Sequence, residues 1–496
     1  MVFQVPSLYF VIISPVLIVI GWGMLLMLLE FFIPEERKGW YTWLSLVGLV
    51  LAFVQTMALW GYEGGTFTPV DGHPMVVVDN YANFLNLIFL ITGGLTILLS
   101  MSYLRRFDMD KPEYYMLLLF SLSGMMLMGM ANDLILVFLA LELLSIPLYI
   151  MSGLAWPRPE SEESAMKYFL LGAFSSGVFV FGIALTYGAT GSTALPDVLA
   201  GISGSGSLGM AGVAMMLVGL GFKVAAAPFH MWTPDVYEGA PTVVTAFMSV
   251  GAKVGGFAAM LRIFLTALPQ IEATWVPAVA VLAALTLLVG NIVALMQSNI
   301  KRMLAYSSIA HAGYIMIAVA ASGSSPQGLS AALFYMLAYL FTNMGAFAIV
   351  IAMERKYGEG LALDDYKGLA KRHPLMALAM AYFMLSLTGV PPTGGFSGKF
   401  YVFRAAIEAS SDGSSLLWLV IIGVLTSVIS GYYYLRVVYL MYMTDGEAEM
   451  VELRWPLKTA VAITVLATVI LGFMPGAWFD VTRDVVLNSV MALAGG

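Results

Sequence analysis

The sequence predicts an all-α polytopic membrane protein of about fourteen transmembrane helices, with two inverted five-helix repeats that each contain a broken helix. Three observations predict it. Hydrophobic residues make up 60% of the 496 positions and charged residues 11%, which leaves too little polar surface for a soluble chain of this length. Apolar runs of membrane-spanning length recur from end to end, and basic residues fall almost entirely in alternate loops.

A span needs about 20 apolar residues. Candidates lie at 7–33, 40–62, 79–104, 114–131, 133–153, 162–187, 208–228, 241–266, 274–297, 300–320, 328–353, 374–391 with a continuation to 410, 415–443 and 456–475. The first run is long enough to span and has no basic flank before it, so it reads as a helix and not as a removable signal peptide. An even count places both termini on one side. Loops after odd-numbered spans carry fifteen Lys and Arg: Arg37, Lys38, Arg105, Arg106, Lys111, Arg158, Lys301, Arg302, Arg355, Lys356, Lys367, Lys371, Arg372, Arg454 and Lys458. The other side carries only Arg483, so the positive-inside rule puts both termini outside.

The fourth to eighth spans (114–266) and the ninth to thirteenth (274–443) form two blocks of five. Because five is odd, the second block enters the membrane in the opposite sense, which is the arithmetic of an inverted repeat. The fourth span of each block is interrupted, by Pro228 in one and by Pro391-Pro392 in the other. Residues 1–113 supply three leading spans, and 444–496 a last span and tail.

Seven basic residues fall within predicted spans: Lys167, Lys223, Lys253, Arg262, Lys399, Arg404 and Arg436. An ionisable group at bilayer depth costs about 2.5–3.5 kcal/mol on insertion scales and marks an ion or proton pathway by default. Lys223 precedes the first break, Lys399 follows the second, and Lys253 sits centrally in the eighth span with no acid in its own helix. Snorkelling explains membrane lysines only near helix ends. It competes seriously for Lys167 alone, within a turn or two of a span end. Glu142, in the middle of the fifth span, is either a carboxyl kept neutral by apolar packing or the partner of Lys223. At a separation of about 10 Å and an effective dielectric of about 20 the two would couple by about 1.7 kcal/mol, a strength suited to a switch. His311 is either a relay or a hydrogen-bonded packing histidine. Ser307, Ser308, Tyr314, Tyr335 and Thr342 are candidates to line a water chain, although each singly can bond its own helix backbone. Glu30, Asp79 and Asp133 fall at span ends and read as caps or interface groups.

Cysteine is absent, which excludes disulfides, thiolate-bound zinc and cysteinyl iron–sulfur clusters. The four histidines, His73, His230, His311 and His373, show no metal-ligand spacing, and no Gly-rich phosphate loop follows a strand pattern. Any redox cofactor is therefore expected in a partner, and nothing suggests nucleic acid. The 34 methionines are spread through the spans and read as lipid-facing or packing surface.

At Phe222-Lys223-Val-Ala-Ala-Ala-Pro228-Phe-His-Met-Trp-Thr-Pro-Asp235-Val-Tyr-Glu238-Gly-Ala-Pro241 the chain resembles subunit N of respiratory complex I, within the antiporter-like membrane subunit family. Lys301-Arg-Met-Leu-Ala-Tyr-Ser-Ser308, Leu141-Glu142-Leu-Leu-Ser-Ile-Pro147 and Gly389-Val-Pro-Pro-Thr-Gly-Gly-Phe-Ser-Gly-Lys399-Phe match as well, so both blocks are covered. Carried over residue by residue, the resemblance implies that the family's proton-path positions are Glu142, Lys167, Lys223, Lys253 and Lys399. It also implies a sister subunit M alongside, small membrane subunits next to a quinone module, and no redox centre in this chain. NADH or another donor, FMN, iron–sulfur clusters and quinone would belong to partner subunits. The expected setting is the cell inner (plasma) membrane with both termini periplasmic. The alternative is a secondary cation/proton antiporter, alone or within an Mrp-type assembly, and fold does not decide between the two.

The expected topology is checked by cysteine labelling, because the chain has no cysteine of its own. Lys367→Cys should react with an impermeant thiol reagent only from the inner side, and labelling from outside would overturn the topology.

Overall fold

The computed structural model describes residues 7–33, 39–70, 72–355, 358–412, 416–449 and 454–494; Arg37, Lys38 and Lys356 of the basic loops lie outside them. Helices α1 (Phe10–Leu29), α2 (Trp40–Ala58) and α3 (Asn80–Arg106) lead the chain. The first block comprises α4 (Pro112–Met130), α5 (Leu134–Ser152), α6 (Pro159–Thr190), the short α7 (Leu195–Ile202), α8 (Gly206–Lys223), α9 (Trp232–Gly239) and α10 (Thr242–Thr266). The second comprises α11 (Glu272–Ala294), α12 (Ile300–Ser322), α13 (Pro326–Met353), the short α14 (Leu369–Arg372), α15 (Pro374–Thr388), α16 (Gly394–Glu408) and α17 (Leu417–Met443). Helices α18 (Trp455–Phe473) and α19 (Pro475–Ala494) close it.

Among the described residues thirteen helices are long and apolar enough to cross a membrane. The one expected span missing from these thirteen, the twelfth at 374–391 with its continuation to 410, is delivered in two pieces, α15 and α16, each of 15 residues and too short alone. Two features lay outside the sequence reading. A small antiparallel hairpin, β1 (Gly64–Thr66) with β2 (Val76–Val78), pairs Gly64 with Val78 between α2 and α3, and the expected tail is the helix α19.

Helix starts follow from local chemistry. The carboxylates of Asp79 and Asp133 accept from the free backbone N–H groups opening α3 and α5, and the Asn299 amide oxygen does so for α12. Pro112, Pro159, Pro326 and Pro374 stand in first turns, where their missing N–H is no loss.

Both interrupted spans stop in the same way. At α8 the N–H of Ala226 reaches the Gly221 carbonyl and that of Ala225 reaches the Phe222 carbonyl, with Ala225 left-handed at φ 62°. At α15 the N–H of Val390 reaches Leu385 and that of Gly389 reaches Ser386, with Gly389 at φ 91°. Both are Schellman closures. The first corrects a sequence expectation: the seventh span was placed at 208–228, yet its helix ends at Lys223, five residues before Pro228. The left-handed residue ends it, and Pro228 lies in the connection that follows.

Burial locates the centre. In the best membrane-spanning window of α10 every residue is buried, and 94% are in α12 and α13, against 39% in α1, α2, α6 and α18. The three enclosed helices carry Lys253, His311 and Asn343, so polar groups cluster where lipid is furthest away. At the other side of α10, Arg262 grips Asp79 through two nitrogens at 2.5 and 3.0 Å and also donates to the Gly129 carbonyl at 2.7 Å. Asp79 is thus both the α3 cap and half of a buried ion pair, and only the cap was legible in the sequence.

Removing one member of a buried pair strands the other charge, at about 3–5 kcal/mol. Arg262→Met should lower the thermal unfolding temperature of the purified protein sharply. Adding Asp79→Asn, which keeps a cap but removes the charge, should recover most of the loss. Equal instability of the single and double variants would contradict this account.

Candidate functional site

The site is assembled from the two helix breaks inward. Lys223 is the last helical residue of α8 and is 3% exposed. Its ammonium donates to the Ser145 hydroxyl at 2.6 Å and to the Tyr149 hydroxyl at 3.4 Å, both on α5. Ser145 in turn donates to the carbonyl of Leu141, one turn back. Glu142 stands three residues before Ser145, hence on the same stretch of α5, and accepts a hydrogen bond from Ser176 of α6 at 2.5 Å. No direct ion pair joins Glu142 to Lys223. Each is held by a hydroxyl of its own, Lys223 by Ser145 and Glu142 by Ser176, so the two charges are not locked together.

Lys399 mirrors this arrangement from across its break. It projects from α16 back onto the end of α15, donating to the carbonyls of Leu387 at 3.0 Å and Thr388 at 2.8 Å and to Ser427 on α17 at 2.8 Å. The three donors of the ammonium therefore each have an acceptor, none of them an acid. The last carbonyls of a helix carry its negative end, and a cation there is stabilised. The Tyr314 ring also lies 4.6 Å from the ammonium nitrogen. Gly389 is required twice over: its φ is left-handed, and a Cβ there would lie 2.9 Å from Lys399 Cδ.

Between the two breaks, Lys253 is 2% exposed and donates to the Ser308 carbonyl of α12. The Ser308 hydroxyl accepts from Tyr339 of α13 at 2.9 Å. One turn further along α12, His311 Nδ1 lies 2.7 Å from the Tyr335 hydroxyl and Nε2 lies 3.2 Å from that of Tyr434, which contacts Ser307. A small cavity lined by His311, Tyr335, Tyr339, Thr342, Ser386 and Leu387 has room for about one water. Leu387 is a carbonyl partner of Lys399, so the cavity bridges the histidine cluster and the second break. Helices α8 and α10 meet at Gly256, where a Cβ would come within 3.2 Å of Lys223 Cβ, three residues from Lys253.

The structure thus brings Lys253, His311 and Lys399 into one buried polar system, with Lys223 and Glu142 set against its near end. The five polar residues read as water-chain candidates all belong to it: Ser307, Ser308 and Tyr335 through the contacts above, Tyr314 through Lys399, and Thr342 through the cavity wall and a 3.1 Å contact with Ser386. Tyr339, Tyr434 and Ser427 complete the system and escaped the sequence reading; an aromatic or hydroxyl in an apolar helix carries no signal until its neighbours are known. Lys167 stands apart. Its side chain is 40% exposed and pairs with Asp235 and Glu163, each at 2.6 Å. Arg302 joins the same cluster through Asp235 at 2.8 Å and Glu238 at 2.7 Å. Partial burial works against the charge of Asp235, but Lys167 and Arg302 hold its carboxyl below the usual value. This cluster ties α9, the segment after the first break, to α6 and α12.

Residues 131–430 match the model of a family described as NADH:quinone oxidoreductase/Mrp antiporter, transmembrane. The chain is 46% identical to the NADH-quinone oxidoreductase subunit N of Chloroflexus aggregans, over 99% of both chains. Its structure resembles a chain of respiratory complex I from Thermus thermophilus, with 35% identity, a TM-score of 0.79 and coverage of 94% of this chain and 98% of that one. It also resembles a chain of the Mrp complex from Dietzia sp., with a TM-score of 0.85 over 97% of this chain and 99% of that one; at 19% identity that likeness concerns the fold alone.

Gly389→Ala should destabilise the protein by about 1–2 kcal/mol through the left-handed backbone alone. It should also push Lys399 off the α15 carbonyls. A variant with unchanged thermal unfolding would show that the Schellman closure does not hold this end.

Proposed function

We propose, from the premise that this chain belongs to the NADH:quinone oxidoreductase/Mrp antiporter family and within it to the subunit N type, that its buried polar row carries protons across the membrane part of a complex I. The observation that supports this most directly is the row itself: three lysines enclosed in protein, none ion-paired, Lys253 and Lys399 joined by hydroxyls, a histidine and a cavity the size of a water, and Lys223 packed against the helix of Lys253. A structural lysine at such depth would be paired with an acid, as Arg262 is with Asp79.

In this reading Glu142 and Lys223 form the switch. When the charges draw together the ammonium is favoured, and when they separate burial disfavours it, so a small movement at the first break loads or discharges Lys223. Lys253 and His311 pass the proton across the centre, through Ser308, Tyr339 and Tyr335, and Lys399 receives it at the second break. Like charges in one buried row repel, so the sites titrate as a coupled set and charging one raises the cost of charging the next. Lys167 plays the outer part, holding the segment after the first break through Asp235. NADH or another donor, FMN, iron–sulfur clusters and quinone act in partner subunits, among them a sister antiporter-like subunit M and the small membrane subunits beside the quinone module. The setting is the inner membrane, with the basic loops inside and both termini outside. The likeness to the Mrp complex concerns fold and does not favour a free-standing antiporter.

Lys223→Ala in the assembled complex should cut proton translocation by a factor of about 100, the lower end of the range that a positioned proton-transfer group supplies. Lys223→Arg should be impaired too, since arginine holds its proton at any accessible pH. Partner subunits should still copurify. Normal pumping by Lys223→Ala would refute the switch.

A further inference from the structure

A second line of buried polar groups leaves the row at Lys253 and runs toward the face of the basic loops. On α10, Thr242, Thr245, Ser249 and Lys253 follow one another at i, i+3, i+7 and i+11, which puts them on a single stripe of the helix, and all four are buried. At its far end Thr242 donates to Glu354 Oε2 at 2.5 Å. Glu354 ends α13 and is 1% exposed, while its other oxygen lies 4.0 Å from Nη1 of Arg158, whose side chain is 36% exposed. The other cations nearby are engaged elsewhere: Lys301 donates to the Ala240 carbonyl and Arg106 to that of Ile351.

Helix α13 faces this stripe with its own, because Asn343 and Glu354 are eleven residues apart and so point the same way. Asn343 Nδ2 donates to the Ser249 hydroxyl at 2.7 Å. The Asn343 amide oxygen is buried and has no hydrogen-bond partner. A bare acceptor beside the hydroxyl ladder, one turn below an ammonium, is the chemistry of a site that binds water. With a rise of 1.5 Å per residue the successive groups on α10 are about 4.5–6 Å apart along the axis, a gap that one bridging water closes.

We infer that Glu354 is the site through which Lys253 is loaded with a proton from the basic-loop side, by way of Thr242, Thr245, Ser249 and Asn343. The inference rests on the relay reading above. A proton from the bulk binds a carboxylate oxygen of Glu354 and passes to the Thr242 hydroxyl, whose own proton moves on. Thr245 and Ser249 repeat the exchange through bridging water, with Asn343 holding the last water in place. The neutral amine of Lys253 becomes an ammonium and the Glu354 carboxylate is restored, so one proton has moved and every hydroxyl again holds one proton, its neighbour's in place of its own. Lys253 is then filled from its own side and not only through Lys223, which leaves the Glu142–Lys223 pair free to set the timing.

The test uses the whole complex in proteoliposomes, with proton translocation read by a pH-sensitive dye. Glu354→Gln and Ser249→Ala should each lower translocation at least about tenfold, to the level of Lys253→Ala. Glu354→Asp and Ser249→Thr, which keep the exchangeable proton, should restore most of it. If Glu354→Gln does not assemble, Ser249→Ala, which only removes an oxygen, decides the matter. Normal pumping by Ser249→Ala beside an impaired Lys253→Ala overturns the inference and leaves the relay standing. Normal pumping by Lys253→Ala overturns the relay itself. Loss in Glu354→Gln and Ser249→Ala without recovery in the conservative variants would make both residues structural and would also overturn the loading site.

Discussion

An ammonium held against the end of a half-helix is the interaction on which the rest of this molecule depends. A buried cation needs compensation, and acid partners are what most buried cations use. Here the compensation comes from backbone carbonyls at one break and from hydroxyls at both. Breaking a span exposes carbonyls that an intact helix would consume, and the Schellman closure leaves some of them free. Lys399 takes two of these and a serine hydroxyl. Lys223 lies at the equivalent end of α8 and reaches hydroxyls on the neighbouring helix. Because neither lysine is matched to a carboxylate, neither charge is permanently neutralised, and both stay responsive to their surroundings.

Much of this was legible in the sequence. The thirteen long helices follow from apolar runs, and their boundaries fall within a few residues of those expected. The breaks were visible because proline announces itself, but the stopping residue of α8 was not: Ala225 is an ordinary alanine whose left-handed conformation is imposed by its neighbours. The lysines were visible because charge is conspicuous among apolar residues. Ser308 stood out among the hydroxyls of its span, but Ser145, Ser427 and Tyr339 lie on other helices and look like ordinary packing residues. The same asymmetry applies to Arg262 and Asp79, 183 residues apart and joined only by the fold.

The contrast between Lys167 and the other lysines shows how depth changes the meaning of a residue. At the rim, where water competes, Lys167, Glu163, Asp235, Arg302 and Glu238 form an ion-pair network of modest worth per pair. Its usefulness is geometric, since it anchors the eight-residue α9, after the first break, between two long helices. Deeper in, the same chemistry would lock a proton in place, and there the chain supplies hydroxyls, a histidine and carbonyls instead.

The two breaks share a closure but not a residue. A left-handed alanine at position 225 carries a penalty of about 1–2 kcal/mol that glycine at position 389 does not. The two ends of the row therefore differ in strain: the end of α8 holds a conformation that the surrounding fold has to compensate, while the end of α15 does not. Two halves that close their helices by the same hydrogen bonds thus store backbone energy unequally, one terminus loaded and the other at rest.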